Sequence, residues 1–161
     1  MTVEHRKARE ALELLPYGLY VLGSAEGKRP ITIVANWVMQ VSFRPQILAV
    51  AIEKDSRMHR GIETSGAFSV NILPSGSTGW VKAFLRTDEG SGATIHGKTY
   101  RRGVTGSPLL DDAIASVECS VQSELDAGDH VVYLGVVTDA VVGSTDRNVL
   151  TLKETGWSYQ K

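Results

Sequence analysis

Four potentially cationic side chains, Lys54, Arg57, His59 and Arg60, fall within seven residues. They follow directly on Ile47-Leu48-Ala49-Val50-Ala51-Ile52, an apolar run of the kind carried by a strand covered on both faces. Ser56 or Asp55 can cap a short helix beginning here, and a helix start presents backbone N–H groups and a positive dipole end. With cations beside it, such a start suits an anion, and a phosphate in particular. The same residues also describe a solvated, capped helix. Both readings stand at this point.

His130 is the second signal. It opens a strand-like run just past Gly128-Asp129, at a rim, where a histidine beside a carboxylate fits either a ligand contact or a surface cross-strand pair. The third is Ile31–Ser42, ITIVANWVMQVS. As one strand it sends Ala35, Trp37, Met39 and Val41 to one face and Asn36, Val38, Gln40 and Ser42 to the other. One face is apolar; the other concentrates hydrogen-bonding groups.

Other chemistries leave no trace. There is no G-x-G-x-x-G, no G-x-x-x-x-G-K-[ST] and no G-x-S-x-G, so neither a Rossmann site, a P-loop nor a hydrolase elbow is written here. The four histidines are dispersed without H-E-x-x-H or C-x-x-C, which points away from a metal site. Gly90-Ser91-Gly92 reads as a flexible loop. Cys119 lies between Val117 and Val121 on one strand face, without a basic neighbour to activate it, and reads as a structural thiol.

These residues need elements to position them. Val3, Ala8, Ala11, Leu12 and Leu15 recur at helical spacing, so residues 1–15 are expected to form an N-terminal helix stopped by Pro16. After it the period changes to that of strands, expected near Tyr17–Leu22, Ile31–Val41, Ile47–Glu53, Ala67–Leu73, Ile114–Leu125, His130–Val142 and Val149–Leu152, with a weaker one near Thr94–Tyr100. Short helices are expected at Arg57–Thr64 and Thr78–Leu85. Short strands joined by tight turns predict a mainly β, antiparallel barrel with short helices.

The chain has 161 residues, 42% hydrophobic and 22% charged, which suits one globular domain over residues 1–161. Seventeen Lys and Arg against eighteen Asp and Glu give a net charge of −1, offering no basic field for nucleic acid or an anionic membrane. The single cysteine precludes an intrachain disulfide, no apolar run approaches the ~20 residues of a bilayer span, and the N-terminus lacks a signal-peptide core. The expected location is the cytoplasm.

Four blocks in order carry a resemblance: Leu19–His59, Ser65–Leu73, Gly106–Val121 with Gly128–Val137 close behind, and the terminal Gly-Trp-Ser-Tyr at 156–159. Together they resemble the flavin reductase-like, FMN-binding split-barrel family over residues 14–159. PYGLYVL and ANWVMQVSF are especially similar to the flavin reductase domain of diiron flavoproteins, although the diiron and flavodoxin modules are absent from this sequence. The resemblance implies a Greek-key split barrel and a homodimer with flavin at its interface. It places Ala35, Asn36, Trp37 and Val38 near the flavin ring, with Gln40 and Ser42 along the ring or ribityl chain. Lys54, Ser56 and His59 fall at the phosphate end, Asn71 near the flavin, and His130 where a nicotinamide ring is positioned.

The implied activity is hydride transfer from NAD(P)H to FMN, with FAD as the other flavin, and onward passage of electrons to a redox protein or monooxygenase. That chemistry belongs to the cofactors, so the lack of a catalytic triad or metal cluster is compatible with it. An FMN-binding electron carrier reduced by a protein partner is the alternative. A different pigment on the same barrel (haem, a deazaflavin or pyridoxal phosphate) ranks below both.

Overall fold

The computed structural model describes residues 3–85 and 92–157. Helix α1 (Val3–Leu12) precedes strands β1 (Tyr20–Glu26), β2 (Arg29–Ala35), β3 (Val38–Phe43) and β4 (Gln46–Glu53), helix α2 (Arg57–Ser65) and strand β5 (Ala67–Ile72). Then come α3 (Thr78–Phe84), the short strands β6 (Thr94–Ile95), β7 (Lys98–Arg102) and β8 (Pro108–Leu110), the long strands β9 (Ala115–Ala127) and β10 (His130–Val142), and α4 (Leu152–Thr155).

Seven strands hydrogen-bond in the order β2-β1-β5-β9-β10-β4-β3, each pair antiparallel. The edges are β2 and β3, yet only Asn36 and Trp37 separate them in the chain. Six strand spacings of about 4.8 Å would hold flat edges roughly 29 Å apart. Three Cα–Cα steps reach only about 11 Å. The sheet is therefore rolled until its edges approach at Asn36–Trp37, giving the expected antiparallel split barrel with a seam between β2 and β3.

Alternation along the strands sorts the core into two clusters. Leu22, Val50, Ile52, Phe68, Val70 and Tyr133 pack with Met58 and Ile62 of α2. Val21 and Leu73, on the opposite face, pack with Val81 and Phe84 of α3, Ile95 and Leu150. Cys119 belongs to the first cluster. Burial, followed by the charge of Glu118, pushes its thiol up to about 12, which fits a structural role.

Several boundaries differ from the sequence expectation. Ile31–Val41 is not one strand but β2 and β3, interrupted where the Val38 N–H turns back onto the Asn36 carbonyl at 3.1 Å. A register shift between Gln40 and Ser42 further breaks the expected two-face alternation. Tyr17–Leu22 and Val149–Leu152 are also corrected. The strand begins at Tyr20, and the C-terminal segment contributes only the bridges Gly18↔Thr151 and Pro74↔Val149 before turning into α4. Thr94–Tyr100 is a hairpin folding at His96-Gly97. Helix α1 stops at Leu12, and Leu12, Leu14 and Leu15 stay exposed. The Gly90-Ser91 part of the expected loop and Ser158-Tyr159 of the terminal block lie outside the described residues.

Candidate functional site

Strand β4 lies between β3 and β10, and its C-terminal end gathers the residues with chemistry. His130 pairs with Glu53 in the β4–β10 register. On the other flank, the Ala51 N–H donates to the Trp37 carbonyl at 3.1 Å. Trp37, Glu53 and His130 thus stand across one end of the barrel. The Trp37 and His130 rings come within 4.8 Å of each other, centroid to centroid, tilted by 56°.

The turn after β9 sets His130. Gly128, at φ +88°, supplies the left-handed conformation that lets Ala127 pair with His130 across a two-residue loop. Asp129 Oδ1 lies 2.7 Å from His130 Nδ1. A carboxylate only accepts, so Nδ1 carries the hydrogen and the imidazole orientation is held. The side chain is 15% exposed, a rim position as expected.

Helix α1 and Tyr17 roof this end of the barrel. Between them and Trp37, Glu53, Asp129 and His130 lies a cavity of about 440 Å³, within the range of small-molecule sites. The lining α1 residues His5, Ala8, Arg9 and Leu12 recur at the spacing of one helical face, and Glu13 follows just past its end.

Asn36, beside Trp37 at the seam, is only 5% exposed, and its Nδ2 has no hydrogen-bond partner. A buried donor without an acceptor costs roughly 1–3 kcal/mol. Ala35 and Val38 flank it, both half-buried.

The cationic cluster is assembled but engaged. Ser56 caps α2: its Oγ accepts the His59 N–H at 3.1 Å and donates to the Glu53 carbonyl at 2.7 Å. Lys54 Nζ is 2.6 Å from Asp126 Oδ2, and the Lys54 N–H donates to the Asp129 carbonyl at 3.0 Å. These contacts clip the β9–β10 turn to the entrance of α2. The Lys54 ammonium, helped by the Gly128 N–H, holds the exposed Asp126 carboxyl below its usual range. His59 Nδ1 lies 2.6 Å from the Tyr133 hydroxyl and Nε2 3.6 Å from Glu63 Oε2. Burial, reinforced by Glu124 and Glu63, pushes Tyr133 up to about 12, so the phenol keeps its proton.

Asn71 stands apart, engaged within the core. Its Nδ2 donates to the carbonyls of Val21 and Pro108, and its Oδ1 accepts from the Leu110 N–H and Ser116 Oγ. With both donors and both acceptor sites used in the core, it fastens β8 to β1, β5 and β9. Gln40 and Ser42 lie farther along β3, paired with Leu48 and Ile47, and Gln40 Nε2 donates to the Ser42 carbonyl at 3.1 Å.

Sequence reasoning did not pick out Arg9, Glu13, Tyr17 or Glu53 as site residues, since only the docking of α1 gathers them. It also missed Glu118. This carboxylate is 1% exposed and accepts from the N–H groups of Val104 and Thr105 and from Thr105 Oγ1. Among the described residues no three His, Cys, Asp or Glu side chains gather as a metal site would require, and no helix is long and apolar enough to cross a membrane.

Residues 12–157 match the model of the flavin reductase like domain. The chain belongs to that family. A ferric-chelate reductase (NAD(P)H) of Archaeoglobus fulgidus is 33% identical over 144 residues, covering 88% of this chain and 85% of that protein. Diflavin flavoprotein A 1 of a Synechocystis species is 30% identical over 138 residues, 85% of this chain but only 24% of that protein, so here the family member corresponds to one region of a longer polypeptide. Among solved structures, flavin reductase PheA2 in its native state superposes with a TM-score of 0.80 at 26% identity, covering 100% of this chain and 99% of that one. The flavin reductase resemblance carried by the four sequence blocks is thereby borne out, and the split barrel with it.

Proposed function

We propose that this chain is an NAD(P)H:flavin oxidoreductase that binds FMN along the seam of the barrel and takes hydride from a nicotinamide nucleotide beside His130. The observation that carries this reading is the unmatched, buried Asn36 donor at the seam, next to the Trp37–His130 ring pair, in a chain of the flavin reductase family. These residues fit a flavin. Asn36 offers a donor to a ring acceptor atom, Trp37 an aromatic face, and Lys54 a cation beside a capped helix start. Ala35 and Val38 border the ring, Gln40 and Ser42 extend toward the ribityl chain, and Ser56 and His59 stand toward the phosphate.

A bound flavin supplies the hydride-accepting ring. The protein's part is to orient the two ring systems, limit water and keep the His130 imidazole fixed through Asp129. Met39 and Phe43, 63% and 84% exposed on the unpaired edge strand β3, support a homodimer that covers the seam. The kinship with a longer diflavin flavoprotein, in which this region is joined to more chain, supports onward electron transfer to a redox protein, with a monooxygenase as the other partner.

The test is titration of the purified protein with FMN, FAD and riboflavin, followed by anaerobic addition of NADH and of NADPH. Bleaching of the flavin band by either nucleotide is expected. Binding of FMN with no bleaching would leave only the protein-reduced carrier.

Two substitutions locate the ends of the site. Lys54→Ala should weaken FMN about tenfold and riboflavin hardly at all, because only FMN carries a phosphate for the charge-assisted contact. Equal losses would remove Lys54 from the site. His130→Ala should lower kcat/KM for the nucleotide about tenfold at unchanged FMN affinity. The opposite pattern would put His130 on the flavin.

A further inference from the structure

Resting on the reductase reading, we propose that Asp126 sets the preference for FMN over a flavin without a phosphate. Its carboxylate is an internal anion that competes with the flavin's phosphate for the Lys54 ammonium.

The pair can exchange partners without disturbing the fold. Lys54 Nζ lies 2.6 Å from Asp126 Oδ2, with 35% of the lysine side chain and 74% of the aspartate side chain exposed. Breaking it strands no buried charge. The two backbones, by contrast, are fixed. Lys54 leaves β4 with its N–H on the Asp129 carbonyl at 3.0 Å, and Ser56 holds the Glu53 carbonyl through both its N–H and its hydroxyl. Asp126 Oδ1 accepts the Gly128 N–H at 3.0 Å. Only the flexible lysine stem is left to swing. When it does, the main-chain bond to Asp129 still clips the turn, and Asp126 stays on Gly128 in position to take the ammonium back.

Two anions are thus offered to one cation. The Lys54 ammonium, followed by the Gly128 N–H, holds the Asp126 carboxyl below its usual range, so the carboxylate is charged at neutral pH. A phosphate monoester such as that of FMN carries a charge of about −1.5 to −2 under the same conditions and brings three acceptor oxygens. It wins against a single carboxylate but must first displace it. The apparent affinity for FMN is then lowered by the fraction of molecules in which Lys54 is already taken. Riboflavin has no phosphate, so its affinity does not feel the pair. Exposed ion pairs are weak, which sets the expected handicap at about two- to fivefold. Asp126 therefore governs how firmly the flavin is retained.

The test is fluorescence titration of the full chain with FMN and with riboflavin, for wild type, Asp126→Asn, Lys54→Ala and the double variant. Asparagine keeps the volume and an oxygen for the Gly128 N–H, and loses only the charge. Asp126→Asn should tighten FMN about two- to fivefold and leave riboflavin unchanged. On the Lys54→Ala background the same change should leave FMN unaltered, because the contested cation is gone. Unchanged or weaker FMN binding by Asp126→Asn would overturn the competition, as would equal tightening of both flavins. Equal tightening of FMN with and without Lys54 would overturn it too, since Asp126 would then act on the phosphate through its field alone. Anaerobic addition of NADH and of NADPH to the FMN-loaded wild type decides the reductase reading separately. Bleaching without an effect of Asp126→Asn ends the competition and leaves the reductase intact. The expected four-protein pattern without bleaching ends the reductase reading alone, and a wild type that binds no FMN ends both.

Discussion

Glu118→Ala is expected to cost the fold about 3–4 kcal/mol, seen as a fall in Tm of roughly 8–15 °C. Its buried carboxylate is the acceptor for the Val104 and Thr105 N–H groups and for the Thr105 hydroxyl. Truncation leaves two backbone donors facing a void, and the turn it holds leads directly into β8 and the Asn71 network. Glu118→Gln keeps the volume but turns an amide NH₂ toward part of that donor set, so an intermediate loss is expected. Gly103→Ala supplies an independent check, because a Cβ there would fall 1.9 Å from Glu118 Oε2 and displace it. Denaturant unfolding of the three variants measures the effect. A loss below about 1 kcal/mol for Glu118→Ala would mean the turn is held by other contacts.

Asn36→Leu should separate stability from function. Nδ2 is buried without a partner, so an apolar side chain of similar size is expected to raise the stability of the ligand-free protein by about 1–2 kcal/mol. The same change removes the donor proposed for the flavin ring, and FMN affinity should fall by about ten- to a hundredfold. A site residue that lowers stability until its ligand arrives has this signature. Thermal melts with and without FMN provide the measurement. If the variant melts lower in the ligand-free state, Asn36 is a structural residue and the seam needs another flavin contact.

Local chemistry made much of the molecule legible beforehand. The unbroken apolar run of β4, the Ser56 cap of α2 and the Gly128 turn before His130 depend on side chains within a few residues of one another. Each was where the sequence put it. The order of the four blocks likewise identified the family, because together they span most of the barrel.

The seam was not legible. Isoleucine, valine and tryptophan continue a strand pattern straight through Asn36-Trp37, and the interruption exists because the rolled sheet brings its two edges together there. Lys54 looked like an open cation, yet its carboxylate partner lies 72 residues away and reaches it through β-strand register alone. The resemblance implies a ligand contact for Asn71, whose hydrogen-bonding groups are used across the core by Val21, Pro108, Leu110 and Ser116. Periodicity, caps and turns are properties of short stretches of chain, so the order of residues settles them. Which polar groups are left for a ligand depends on partners brought together by register, roll and the docking of α1, and those are fixed when the whole barrel packs.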